Sequence, residues 1–117
     1  MQAEAVILQD SHQLGFVSAL TLADVLRPLD RVDFMDVDIQ FAEIRVIPPS
    51  LDLLRRKVKL LSIGTHSGDI HEALLAAVDR SAWEVVFEFA PWTKHETALG
   101  TFDTQDGILT LLNRMLD

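Results

Sequence analysis

The stretch Val32-Asp33-Phe34-Met35-Asp36-Val37-Asp38-Ile39-Gln40, running on into Phe41-Ala42-Glu43, constrains the fold more than any other part of the chain. An apolar run that ends in carboxylates reads as a buried strand whose carboxy-terminal end carries chemistry. Side chains alternate along a strand at about 3.3 Å per residue, so Asp36 and Asp38 are expected on one face, roughly 7 Å apart. That is the end at which open α/β sheets bind their ligands. Val37 and Ile39 then point the other way. The plainer reading leaves these acids as solvated residues where a strand runs into a loop.

The rest of the chain alternates in the same manner. Ala5 to Leu8 reads as a short strand and Asp10-Ser11-His12 as the loop after it. Thr21-Leu22-Ala23-Asp24 has the pattern of a helix start, a hydroxyl with an acid three residues later, and Pro28 limits the helix. Pro48-Pro49-Ser50 reads as a break that caps a short helix from Leu51 to about Arg56. Val58 to Ile63 is a second buried strand ending in Gly64-Thr65-His66-Ser67-Gly68. From Ser67, apolar residues at Ile70, Ala73, Leu74, Ala77 and Val78 recur at the helical period. Trp83 to Phe89 is a third strand, Trp92 to Asp106 a long loop, and Gly107 to Asn113 a final strand antiparallel to the third. This order predicts one three-layer α/β domain over residues 1–117, with a mostly parallel sheet, helices on its faces and a C-terminal antiparallel strand.

Charge and composition exclude several functions. Eighteen acids against ten Lys and Arg give a net charge of −8, which opposes a nucleic-acid phosphate footprint or an anionic membrane surface. There is no cysteine, which removes thiolate metal sites, disulfides and a cysteine nucleophile and fits a cytoplasmic location. No apolar run approaches the roughly 20 residues of a membrane span, and no secretory signal is visible.

Chemistry-bearing residues are few. Gly64 to Gly68 sits between strand and helix, where backbone N–H groups can meet an anion, though turns of this composition usually only turn. His66, Asp69 and His71 invite a metal reading, but the two histidines are five apart and turn off a common helix face. Carboxylates of Asp36, Asp38 or Glu43 suit a hard cation without specifying one. His12 and His95 read as loop residues. Phe87, Phe89, Trp83 and Trp92 read as core and lid packing, since no basic groove accompanies them.

The runs Thr21 to Leu26 and Val32 to Glu43 resemble the second half of FkbM-type S-adenosylmethionine-dependent methyltransferases. Asp38, Ile39, Gln40, Ala42 and Glu43 match that family's motif after the fourth strand, while Phe41 stands where the family places glycine. Ser62 to Ser67 with Asp69-Ile70-His71 looks like the fifth strand and next helix; Trp83-Glu84, Gln105 to Leu109 and Asn113 extend the likeness, over roughly residues 18–114. The resemblance implies the carboxy-terminal half of a Rossmann-like methyltransferase fold and methyl transfer to a hydroxyl of a small acceptor. It implies that Asp38 and Glu43 position or deprotonate that acceptor, with Asp36 and His66 nearby. The glycine-rich loop and the acid that hold S-adenosylmethionine in such enzymes have no counterpart, so the chain is expected to be inactive alone.

Half a sheet has a physical consequence. The Val32 to Ile39 edge would be bare and ready to pair, so it is expected to be covered by Ala5 to Leu8, by a second copy in a homo-oligomer, or by a partner chain. Two further readings stay open: a non-catalytic dimerisation or interaction module, and a receiver-like phosphoacceptor domain using Asp10, Asp36 or Asp38, Thr65 and Lys94.

Overall fold

The computed structural model of the chain describes residues 2–9 and 13–117, with side chains from residue 18 onward. It divides into two compact units, Met1–Asp30 and Arg31–Asp117. No helix among the described residues is long and apolar enough to cross a membrane.

In the first unit β1 (Gln2–Gln9) pairs antiparallel with β2 (Gln13–Leu20), with Val6 opposite Phe16 and Leu8 opposite Leu14. The expected strand at Ala5 to Leu8 lies within β1, whereas β2 had no clear signal because Gly15 and Ser18 interrupt its apolar residues. Ala5 to Leu8 thus belongs to a two-stranded sheet of its own. Asp10, Ser11 and His12 lie outside the described residues. Helix α1 (Leu22–Leu26) carries the expected capping box: the Asp24 N–H donates to Thr21 Oγ1 at 3.1 Å and the Thr21 N–H donates to Asp24 Oδ2 at 3.2 Å. Asp24 also accepts from Arg27. The bonds from Arg27 and from the Thr21 backbone are among the forces that hold its carboxyl far below the usual range.

The second unit runs β3 (Val32–Val37), α2 (Glu43–Lys57), β4 (Val58–Thr65), α3 (Gly68–Ala77), β5 (Trp83–Phe89), β6 (Lys94–Thr97), β7 (Gly100–Asp103) and β8 (Gly107–Asn113). Four strands form one sheet in the order β3-β4-β8-β5. Only β3 and β4 are parallel; β8 is antiparallel to both β4 and β5. The mostly parallel sheet expected from the sequence is therefore corrected to a mixed one. A parallel return needs a crossover helix, and the segment after β5 has none. It makes a short hairpin instead, so β8 starts at the end where β5 stops. The carboxy-terminal ends of β3, β4 and β5 and the amino-terminal end of β8 consequently share one end of the sheet.

One face of this sheet carries the core, built from Leu61, Ile63, Trp83, Leu109 and Leu111 with Ile47, Leu54 and Leu74 of the helices. Its other face leaves Phe34, Phe87 and Ile108 about half exposed, so within this unit α2 and α3 do not cover both faces. Helix α2 corrects a second expectation. It runs unbroken through Pro48 and Pro49 rather than starting after them. Each proline removes a helical hydrogen bond, but the stripe of Ile47 and Leu54 is fully buried and outweighs that loss. Ser50 Oγ donates to Val46 O at 2.7 Å inside the affected turn.

The long loop expected between Trp92 and Asp106 contains the hairpin of β6 and β7, paired with His95 opposite Phe102. Both rings pack edge-on against Phe89, at 5.0 and 5.2 Å between centroids. The chain end is tied down by Asn113, whose Nδ2 donates to Arg55 O and Val58 O at 2.7 and 2.8 Å. Lys59 Nζ donates to Asn113 O and Leu116 O.

Candidate functional site

The end of the sheet shared by β3, β4, β5 and β8 holds the densest set of titratable groups. Thr65 is the last residue of β4 and His66 follows it; Val37 is the last of β3 and Asp38 follows it. Because β3 and β4 are parallel neighbours, their first loop residues come together. His66 Nε2 lies 3.0 Å from Asp38 Oδ1, an ion pair when the ring is protonated. Glu43 opens α2, where the helix dipole favours a carboxylate. Its Oε1 accepts from His66 Nδ1. Asp106, immediately before β8, brings Oδ2 to 3.9 Å from Nε2.

Burial differs sharply along this chain of groups. The Glu43 side chain is wholly buried and that of His66 only 5% exposed, whereas Asp38 and Asp106 are about 70% exposed. A carboxylate lies beside each ring nitrogen, an arrangement that favours the imidazolium form. The Glu43 hydrogen bond is the main force raising the His66 pKa above its ordinary value; burial opposes it, and the charges of Glu43, Asp106 and Asp38 add to the rise. Glu43 Oε2 is buried and has no hydrogen-bond partner.

The connection from β3 to α2 is bent into an unusual path. Gln40 and Phe41 adopt φ of 38° and 69°, the left-handed region that glycine enters without cost. This path holds the half-exposed Phe41 ring 5.7 Å from the His66 ring.

Of the residues singled out from the sequence, Asp38, Glu43 and His66 meet. Asp36 does not join them: it lies within β3 opposite Ser62, exposed, with no part in the network. Strand β3 ends at Val37, so the alternation that would align Asp36 with Asp38 stops before Asp38. Asp106 was missed because it stood inside a presumed loop; the signal was its place directly before Gly107 and the final strand.

The two histidines five apart serve different networks. His71, in α3, is buried, and its Nε2 donates to Glu88 Oε1 at 2.6 Å while Nδ1 lies 2.8 Å from Thr65 Oγ1. This links α3 to β5 and β4. No group of three or more His, Asp and Glu side chains among the described residues is arranged to hold a metal ion. Glu43 sits on one side of the imidazole and Asp38 and Asp106 on the other, so they do not converge on one point. Thr65 is fully buried and bonded to His71, which removes the solvent-facing hydroxyl that a receiver-like site needs. His95 Nε2 bonds to Ala90 O within the region of the hairpin. Ser67 caps α3 by accepting from the Ile70 N–H at 3.1 Å.

No protein-family model matches the chain, and no curated protein or solved structure is significantly similar to it.

Proposed function

We propose that this chain supplies the acceptor side of a two-part O-methyl-transfer site and does not transfer a methyl group unaided. The observation that carries the reading is the buried Glu43–His66 pair opening onto Asp38 at the carboxy-terminal ends of adjacent parallel strands. When His66 loses its Nε2 proton, Nδ1–H stays held by Glu43 and the Nε2 lone pair faces the exposed Asp38 and Asp106. A hydroxyl placed there gives its proton to Nε2, and Glu43 stabilises the imidazolium that results. Phe41 supports the family likeness from another side, since its φ of 69° is the conformation for which a glycine is suited at that motif position. The reversed final strand also agrees with the likeness.

The residues present do not fit the methyl donor, S-adenosylmethionine. No glycine-rich turn follows a described strand. A cavity of about 190 Å³ lies around Trp83, Arg55 and Asp79. On this reading the donor site is supplied by another chain.

Two measurements test this reading. Calorimetric titration of the chain with S-adenosylmethionine is expected to show no saturable binding; one-to-one binding overturns the two-part arrangement. Histidine-selective NMR with simple sugars and polyols is expected to move His66 before His71 and His95. A panel that leaves His66 unmoved overturns the acceptor site.

A second reading, a non-catalytic pairing module, rests on β3 itself. Among the described residues it has one neighbour in its sheet, β4, and Phe34 on it is exposed, so its outer edge is a place for another strand to pair. Ultracentrifugation over a concentration series decides it: a dimer abolished by Phe34→Lys supports it, and a monomer throughout excludes self-pairing.

A further inference from the structure

The residues on either side of His66 are both bonded to His71. Thr65, just before His66, holds its Oγ1 2.8 Å from His71 Nδ1, and the carbonyl of Ser67, just after it, accepts the His71 backbone N–H at 3.0 Å. The other ring nitrogen, Nε2, lies 2.6 Å from Glu88 Oε1 on β5. Thr65 and His71 are buried, and Glu88 is half exposed. The acceptor-site reading above makes no use of these three side chains.

Both ring nitrogens have a partner in either charge state. Glu88 accepts from Nε2; a neutral ring then accepts from the Thr65 hydroxyl at Nδ1, and a charged ring donates there instead. Hydroxyl, imidazole and carboxylate stand in the order of a nucleophile, its base and the group that orients the base. Thr65 has no exposure, which closes it to substrate, so the arrangement acts on position. A satisfied buried network rigidifies one geometry. The same geometry is enforced from β8: Thr65 Oγ1 fills the space over Gly107, its partner in the ladder, where a Cβ would lie 2.2 Å away. Asp106 directly precedes that glycine. The network therefore ties the chain before and after His66 and the chain just after Asp106. A base must stand within about 2.6–3.2 Å of the proton it takes, and misplacement by about 1 Å costs as much as about 100-fold.

We infer that His71 is a positioning residue for His66: through Thr65 and Ser67, and anchored by Glu88, it sets the turn from β4 into α3 and the direction in which the His66 ring meets Glu43 and the acceptor. The inference rests on the acceptor-site reading above.

The test uses the full chain and separates position from stability. Thr65→Val keeps the shape and charge of the side chain and deletes the hydroxyl, whereas Thr65→Ser keeps the hydroxyl. Glu88→Gln, at a half-exposed position, weakens the other end of the network and is measured in high salt, which screens the lost charge. Histidine-selective NMR follows the His66 pH titration and its response to glycerol; urea unfolding follows stability. The Glu43 bond that raises the His66 pKa depends on ring direction, so Thr65→Val and Glu88→Gln are each expected to lower the His66 midpoint. Both are expected to need about tenfold more glycerol for half-response, short of the loss for a full 1 Å displacement. Thr65→Ser is expected to keep both parental values. A His66 titration and glycerol response unchanged in either Thr65→Val or Glu88→Gln, whatever the loss of stability, overturns the positioning role and leaves the acceptor site standing. A Thr65→Ser protein in which His66 behaves as it does in Thr65→Val also overturns it. A parent chain whose His66 ignores glycerol overturns the acceptor site and this inference together.

Discussion

Gly107 sits where the site and the core meet, and replacing it with alanine tests how tightly that junction is built. A Cβ there would lie 2.2 Å from Thr65 Oγ1 and 2.8 Å from both Phe89 O and Pro91 Cδ. Ordinary contacts are about 3.5–4 Å, so all three are severe overlaps. Thr65 can yield only by turning its hydroxyl away from His71 Nδ1, leaving a buried group unsatisfied at a cost of about 1–3 kcal/mol. Phe89 O is backbone and Pro91 is a buried ring, so the rest must be met by backbone movement, about 1–3 kcal/mol more. Restricting the unfolded chain returns about 0.4–1 kcal/mol. Gly107→Ala is therefore expected to destabilise by about 3 kcal/mol. Urea unfolding measures it, with Gly68→Ala as control, since nothing lies within 4 Å of a Cβ at Gly68. In a Thr65→Ala background the cost should fall by about 1–2 kcal/mol, because the closest overlap has gone. A Gly107→Ala protein within about 0.5 kcal/mol of the parent would refute the packing described for this junction.

Glu43→Gln is expected to lower the His66 pKa, because the Glu43 hydrogen bond is the main cause of its rise. A raised folded value means the pair stabilises fully below the unfolded pKa of about 6.5 and loses this contribution as pH climbs through the folded value. The gap in urea midpoint between parent and variant should thus close toward alkaline pH; a gap that widens there contradicts the assignment. Asn113→Ala removes two donated bonds and the one that Oδ1 accepts from Met115 N, at 2.7–2.8 Å, and is expected to cost about 2–4 kcal/mol, read as a lower Tm. Phe41→Gly should be near neutral in urea unfolding, since relief of about 1–2 kcal/mol of left-handed strain is offset by a more flexible unfolded chain. Phe41→Val should destabilise, and the reverse order would deny the strain.

Local signals in the sequence were reliable where one element dominates its own neighbourhood. The hydroxyl and acid of Thr21 and Asp24 meet as a capping box, and Trp83 to Phe89 and Gly107 to Asn113 form strands at the expected residues. Asp38, Glu43 and His66 were legible as a site because each stands at the mouth of an element. The failures have a common cause, which is tertiary burial overriding local chemistry. Pro48-Pro49 looks like a break until Ile47 and Leu54 are seen buried on both sides of it. The β6–β7 hairpin lacks a clean apolar alternation because it is anchored mainly through His95 and Phe102 against Phe89. His71 carried no sign of its buried bond to Glu88, seventeen residues away, since nothing local predicts such a pairing.

The mixed sheet explains why an acidic chain gathers acids at one place. If β8 had returned through a crossover helix, it would run parallel to β4, and its amino-terminal residue Asp106 would lie at the far end of the sheet. Reversal of β8 instead brings Asp106 to the end where β3 delivers Asp38 and β4 delivers His66. Glu43 reaches the same end because α2 begins directly after the Gln40–Phe41 bend. Each of these placements is set by backbone topology; the carboxylates repel one another, although each also favours the charged form of His66. A fold stabilised elsewhere, by Leu61, Ile63, Leu109 and Leu111, tolerates that repulsion. Residues kept at such a cost to stability are what a binding or catalytic site looks like in physical terms. Part of that repulsion is relieved by the charge of His66 itself, so this end of the sheet is expected to lose stability as pH rises through the His66 pKa.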